Sequence, residues 1–184
     1  IGNKIIGNNN PCFISFEPGA TYSNLEMAKL MIHASAEANA DAIKFQTFTP
    51  GDADRLMGVK DIKIDFGTAS GKKQELVYEA LKRRELPKES WRELVRYTKE
   101  NNLAFITTPE FPDSIEVLVE IGVDALKISK GDINNVLLIE EAAKSKLPII
   151  LDGRERFEDV ENGIRICESN GNNQIIIMHC PSGY

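Results

Sequence analysis

The chain alternates short apolar runs with longer stretches of helical period, and two of the runs carry a lysine inside them: Ala42-Ile43-Lys44-Phe45-Gln46 and Ala125-Leu126-Lys127-Ile128-Ser129. Runs at 12–17, 41–46, 103–108, 124–129, 148–152 and 174–179 read as strands. Between them lie helical patterns. The first is capped by Ser23 or Asn24 and striped with Leu25, Ala28, Leu30, Met31, Ile32, Ala34 and Ala38. Others cover 73–84, 88–101, 113–121, 134–145 and 157–170, with Pro87 just before the first turn of the 88–101 helix. Residues 1–10 alternate apolar and polar around Gly2 and Gly7, which predicts a small hairpin ahead of the main domain at 11–184. The stretch 47–72, rich in Gly and Asp, reads as one long irregular loop, and loops of that length are usually functional or mobile.

Strands alternating with helices imply right-handed crossovers and a parallel sheet, the α/β class. An open doubly wound sheet and a barrel both fit the early part. The strand ends decide between them. Glu17, Gln46, Thr108, Ser129, Asp152 and His179 stand at the C-terminal ends of successive strands. An open sheet gathers its polar groups near one switch point, whereas a (β/α)8 TIM barrel places them on every strand. Such a barrel takes about 250 residues, so about six strands in 184 residues predict a barrel cut short by two units, with two open edges.

A strand buried on both faces should not hold a lysine unless something pairs with it. Residues two apart share a strand face, so Lys44 points with Gln46, Lys127 with Ser129 and Glu17 with Ser15. Two ammonium groups and a carboxylate would then meet at one mouth, with the Thr108 hydroxyl beside them. That suits an anion bearing carboxylate and phosphate, such as phosphoenolpyruvate. The competing structural reading pairs each lysine with a barrel carboxylate for stability alone. His179 has its own plain reading as a hydrogen-bonded core histidine, and Trp91 one as a packing residue.

The net charge of -6 argues against a nucleic-acid partner but leaves room for a local cationic site. No apolar run approaches the ~20 residues of a membrane span. Three widely spaced cysteines, Cys12, Cys167 and Cys180, form neither a zinc pattern nor a disulfide framework, which fits a cytoplasmic protein. The first residue, Ile1, suggests a trimmed or processed chain.

Several pieces together resemble the sialic acid synthase (N-acetylneuraminate synthase) family. They are Ala42-Ile43-Lys44-Phe45-Gln46-Thr47, Thr107-Thr108-Pro109, Leu126-Lys127-Ile128-Ser129 with Gly131-Asp132, Pro148-Ile149-Ile150-Leu151, and His179-Cys180-Pro181-Ser182-Gly183-Tyr184. The resemblance implies an eight-stranded barrel followed by an antifreeze-like domain, the last two units and that domain being absent here. It implies a cytoplasmic, homodimeric transferase that condenses phosphoenolpyruvate with an N-acyl hexosamine such as N-acetylmannosamine. Lys44, Thr108, Lys127 and Ser182 would hold phosphoenolpyruvate. Gln46, Asp132 and Tyr184 would face the sugar, and Glu17 would handle a proton or order the attacking water. A divalent metal, Mn2+ or Mg2+, is implied, with both histidine ligands beyond residue 184, so the chain alone should be inactive.

Three departures stand out. The family's Asn-His pair is replaced within Pro18-Gly19-Ala20-Thr21-Tyr22-Ser23-Asn24. Its serine near the anion becomes Lys130. Its Ser-Thr-Gly becomes Asp152-Gly153-Arg154, where Asp152 would repel phosphate unless Lys130 or Arg154 compensates. Asp152 and the absent Asn-His pair leave open a sugar-binding relative without catalysis, while a related condensation with an aldose phosphate would call for more arginines at the strand ends than the chain has.

Overall fold

The computed structural model describes residues 1–68, 71–154 and 156–180. Among these, six parallel strands form one sheet in the order β1 (Ser15–Gly19), β2 (Ala42–Gln46), β5 (Ala104–Thr108), β6 (Ala125–Ile128), β7 (Ile149–Asp152), β8 (Ile175–Met178). Helices α1 (Leu25–Glu37), α4 (Lys88–Glu100), α5 (Ser114–Ile121), α6 (Val136–Lys144) and α7 (Phe157–Ser169) make the crossovers. Every strand adds to the side of the one before it in the sheet, with no switch point, as in a barrel wall.

Side-chain alternation divides the interior in two. Ile43, Phe45, Phe105, Leu126, Ile128, Ile149 and Leu151 face the helices and join the larger core. Ala42, Ala104, Ile106, Ala125 and Ile150 face the opposite way and pack with Ile1, Phe13 and Ile176. The second face is the barrel interior, and its positions run on to Lys44, Thr108, Lys127 and Asp152.

The caps follow from local chemistry. The Asn24 side chain accepts from the Met27 N–H at 2.9 Å, which starts α1. Pro87 precedes α4. Gly122, at φ 85°, ends α5 in the left-handed region and turns the chain into β6, the strand that carries Lys127. Trp91 of α4 is fully buried against Tyr22, Phe45 and Phe105. Its indole N–H donates to the Phe48 carbonyl at 2.9 Å and so fixes the loop leaving β2.

Two expectations need correction. Residues 1–10 form turns rather than a hairpin, with no strand before Ser15. Lys4 instead pairs with Asp41, whose other oxygen accepts from the Ile14 N–H at 2.6 Å. The segment is thereby tied across the bottom of the barrel, and its alternation reflects Ile1 packing on the floor. The stretch 47–72 is not irregular throughout. It holds α2 (Asp52–Leu56) and β3 (Lys63–Thr68), which pairs antiparallel with β4 (Gly71–Leu76). β4 occupies the first third of the helix expected at 73–84, leaving α3 only Val77–Lys82. Ile62, Ile64 and Phe66 alternate with polar residues as a strand's do, but the glycines and aspartates around them give the stretch the look of a loop. The ribbon's cross-strand bond from Gln74 to Asp65, at 3.0 Å, is an exposed polar one.

Candidate active site

The lysine on β2 and the lysine on β6 both point into the barrel interior. Lys44 is 7% exposed and Lys127 8% exposed. Lys44 Nζ donates to Glu17 Oε1 at 2.5 Å and to Thr108 Oγ1 at 3.4 Å. β5, which carries Thr108, lies between β2 and β6 in the sheet. Burial lowers the Lys44 pKa, the Glu17 carboxylate opposes that shift, and the charge of Lys127 adds to it. The two ammonium groups therefore feel each other across Thr108.

Lys127 Nζ donates to Asp152 Oδ2 at 2.9 Å. Asp152 is fully buried, and Arg154 clasps it from the other side, with Nε on Oδ1 at 2.9 Å and Nη2 on Oδ2 at 2.7 Å. Burial alone would raise the carboxyl's pKa. The hydrogen bonds from Arg154 and Lys127 outweigh it and hold Asp152 well below the usual carboxylate range. The compensation required for an acidic residue here thus comes from Arg154. Gly153 makes the clasp possible. A Cβ there would lie 2.6 Å from the Met178 carbonyl oxygen, which the Gly153 N–H already bonds at 2.9 Å. Gly153→Ala is expected to push β7 and β8 apart at the rim and to cost about 1–3 kcal/mol, read as a lower denaturant midpoint.

Below the lysines the interior opens into a cavity of about 380 Å³ lined by Phe13, Ser15, Glu17, Lys44, Ile106, Ile150, Ile176 and Met178. A separate hollow of about 270 Å³, near Gly2, Asn102 and Asp124, sits at the N-terminal end of the strands, away from the charged groups.

The remaining expected residues divide. Gln46 ends β2 on the Lys44 face, and its backbone carbonyl accepts from the Tyr22 hydroxyl at 2.9 Å. Ser129 donates to Asp132 Oδ2 at 2.6 Å within the 3-10 turn Lys130–Asp132, which places both at the rim after β6. Lys130 is exposed on that turn. His179 is exposed one residue beyond β8, so it is not a buried core histidine. Met178 takes the cavity-facing position beside it. Ser182 and Tyr184 lie outside the described residues.

Sequence reasoning missed Glu110. It follows Thr108-Pro109 at the end of β5, and a carboxylate directly past a strand end in this architecture was the available signal. Among the described residues, no group of three or more His, Cys, Asp or Glu side chains is arranged to hold a metal ion. The described residues do not fit a metal. No helix among them is long and apolar enough to cross a membrane.

The fold and the inward lysines define a class that comparison makes explicit. A truncated form of the 3-deoxy-D-arabino-heptulosonate 7-phosphate synthase of Thermotoga maritima, at 16% identity and a TM-score of 0.66 over 96% of this chain and 54% of that one, shares the architecture. The sialic acid synthetase of Leptospira borgpetersenii serovar Hardjo-bovis, solved with citrate, matches at 32% identity. Its TM-score is 0.81 over all of this chain and 59% of that one. The structure is thus an α/β fold, a TIM-barrel wall of six parallel strands. The profile of the NeuB family matches residues 31–184, and the chain belongs to that family.

Among curated relatives, the spore coat polysaccharide biosynthesis protein SpsE of Bacillus subtilis is 36% identical over all of this chain and 48% of its own length. The N,N'-diacetyllegionaminic acid synthase of Legionella pneumophila is 32% identical over all of this chain and 52% of its own. The chain spans about half the length of the curated relatives it matches.

Proposed function

We propose that the whole protein condenses phosphoenolpyruvate with an N-acyl hexosamine, giving a sialic-acid-type nonulosonic acid and phosphate. The observation that carries this reading is the pair of buried lysines, Lys44 and Lys127, facing one interior at the C-terminal rim of a NeuB-family barrel. The chain's similarity to a diacetyllegionaminic acid synthase and to a pseudaminic acid synthase supports the product class.

The chemistry divides among the residues as follows. An ammonium has three donors. Asp152 takes one from Lys127, and the others remain to meet the phosphate or carboxylate of phosphoenolpyruvate. Lys44 does the same beside Thr108, because Glu17 takes one of its donors. Neutralising the substrate's charge leaves its methylene carbon as a nucleophile toward the sugar aldehyde. The new C–C bond forms there, and the aldehyde oxygen takes a proton to become a hydroxyl. Water adds to the central carbon, and Glu17 is placed to accept its proton. The carbon–oxygen bond to phosphate then breaks, which leaves a ketone and inorganic phosphate.

A second reading, a sugar-binding relative without catalysis, has one observation in its favour. Both lysines already hold carboxylates, Glu17 at 2.5 Å and Asp152 at 2.9 Å. One experiment separates the two. The whole protein is assayed for phosphate release from phosphoenolpyruvate against a panel of N-acyl hexosamines with Mn2+, alongside calorimetry with phosphoenolpyruvate alone. Release with at least one acceptor is expected. No release with any acceptor, together with no heat of phosphoenolpyruvate binding, would leave only the sugar-binding reading.

A further inference from the structure

Glu110 stands two residues past the end of β5, and its Oε1 is buried without a hydrogen-bond partner. The groups that face it are Asp132 from the turn after β6, Asp52 of α2, Lys44 of β2 and the Tyr22 phenol ahead of α1. Asp52 is occupied, accepting from the Thr49 N–H at 2.6 Å and its hydroxyl at 2.8 Å. Asp132 is occupied by Ser129. Glu110 is therefore the carboxyl of this group whose buried oxygen has no protein donor. Burial first, then the charges of Asp132 and Asp52, push its pKa up to about 7, with Lys44 opposing. Arg84, whose Nε is also buried without a partner, interacts electrostatically with Tyr22, Arg83 and Glu75.

The rim thus has two halves of opposite character. Lys44 and Lys127 suit the anion. The Glu110 side offers an acceptor oxygen beside two carboxylates, where a second phosphate would meet repulsion and a hydroxyl or amide N–H would find its partner. We propose that Glu110 is the acceptor-binding residue of this site, hydrogen-bonding a donor group of a neutral sugar and selecting against a phosphorylated one. This rests on the condensation reading above.

The test uses the whole protein, with phosphoenolpyruvate saturating and an N-acyl hexosamine or its phosphate ester varied, for wild type, Glu110→Ala and Glu110→Gln. Wild type should show an ionisation near pH 7 in kcat/KM for the sugar. Glu110→Gln should lack it and should narrow the preference for the unphosphorylated sugar. Glu110→Ala should raise the sugar's KM about tenfold or more while changing the KM of phosphoenolpyruvate less than about twofold. If Glu110→Ala fails to fold, the glutamine variant's pH profile and ester preference decide alone. An active wild type whose variants keep the sugar KM, or raise both KM values together, overturns this assignment and leaves the condensation reading standing. A wild type inactive with every acceptor overturns both.

Discussion

Lys127→Met is expected to lower phosphoenolpyruvate-dependent phosphate release by about 10²–10³-fold, with the fold retained. Methionine keeps the length of the apolar stem and loses only the ammonium. Asp152 would still be held by Arg154 through both oxygens, so the buried carboxylate is not abandoned. What disappears is the positive charge that faces the interior from β6. Under the condensation reading that charge offsets an anion, and a preorganised donor of this kind is usually worth several kcal/mol in a buried site. The check is steady-state phosphate release by Lys127→Met, with circular dichroism to confirm folding. A variant within about threefold of wild type in kcat/KM would mean that Lys127 serves only its ion pair, well short of the single-donor losses seen elsewhere.

Asp152→Asn should have the opposite profile, a large loss of stability at neutral pH of about 3–5 kcal/mol. The replacement is nearly isosteric, so no cavity opens. It leaves Lys127 and Arg154, two cations at one buried place, facing an amide that can offer a single acceptor oxygen. The pH dependence supplies a second signature. The folded-state pKa of Asp152 is depressed by its two cationic partners, so its contribution is fully present above the unfolded value, about 4. It is lost as pH falls from there through the folded value. Wild type and variant should therefore differ most near pH 7 and draw together in strong acid. Denaturant midpoints measured from pH 2 to 7 test this. Parallel curves across that range would show that the clasp contributes no charge-dependent stability.

The fold and half of the site were legible for different reasons. The strands β2, β5, β6 and β7 are apolar on both faces, so they stood out as runs, and the two lysines stood out as the exceptions within them. Parity then sufficed to turn Lys44, Thr108 and Lys127 toward one interior. The β3–β4 ribbon escaped although Ile62-Lys63-Ile64-Asp65-Phe66 alternates, because the glycines and aspartates around that run read as loop. The lysines' pairing could be guessed as a class but not assigned. Asp152 and Arg154 are near in sequence, yet the grip of Lys127 and Arg154 on one carboxylate depends on the register of β6 against β7, where Lys127 sits opposite Ile150. Glu110 was missed because its meaning lies in what it lacks. An unfilled oxygen follows from the packing of four separate elements around it, and no local pattern encodes that.

The two margins of the sheet are guarded unequally. At one, β1 contains Pro18, whose nitrogen has no hydrogen to offer, and its register against β2 slips between Phe16 and Gly19. At the other, β8 is the run Ile175-Ile176-Ile177-Met178, with Ile177 about half exposed. Among the described residues that strand has β7 as its one neighbour. A fusion, truncation or crystallisation strategy that leaves the isoleucine margin bare invites self-association there, so a protective segment belongs at that end of the chain rather than at its beginning.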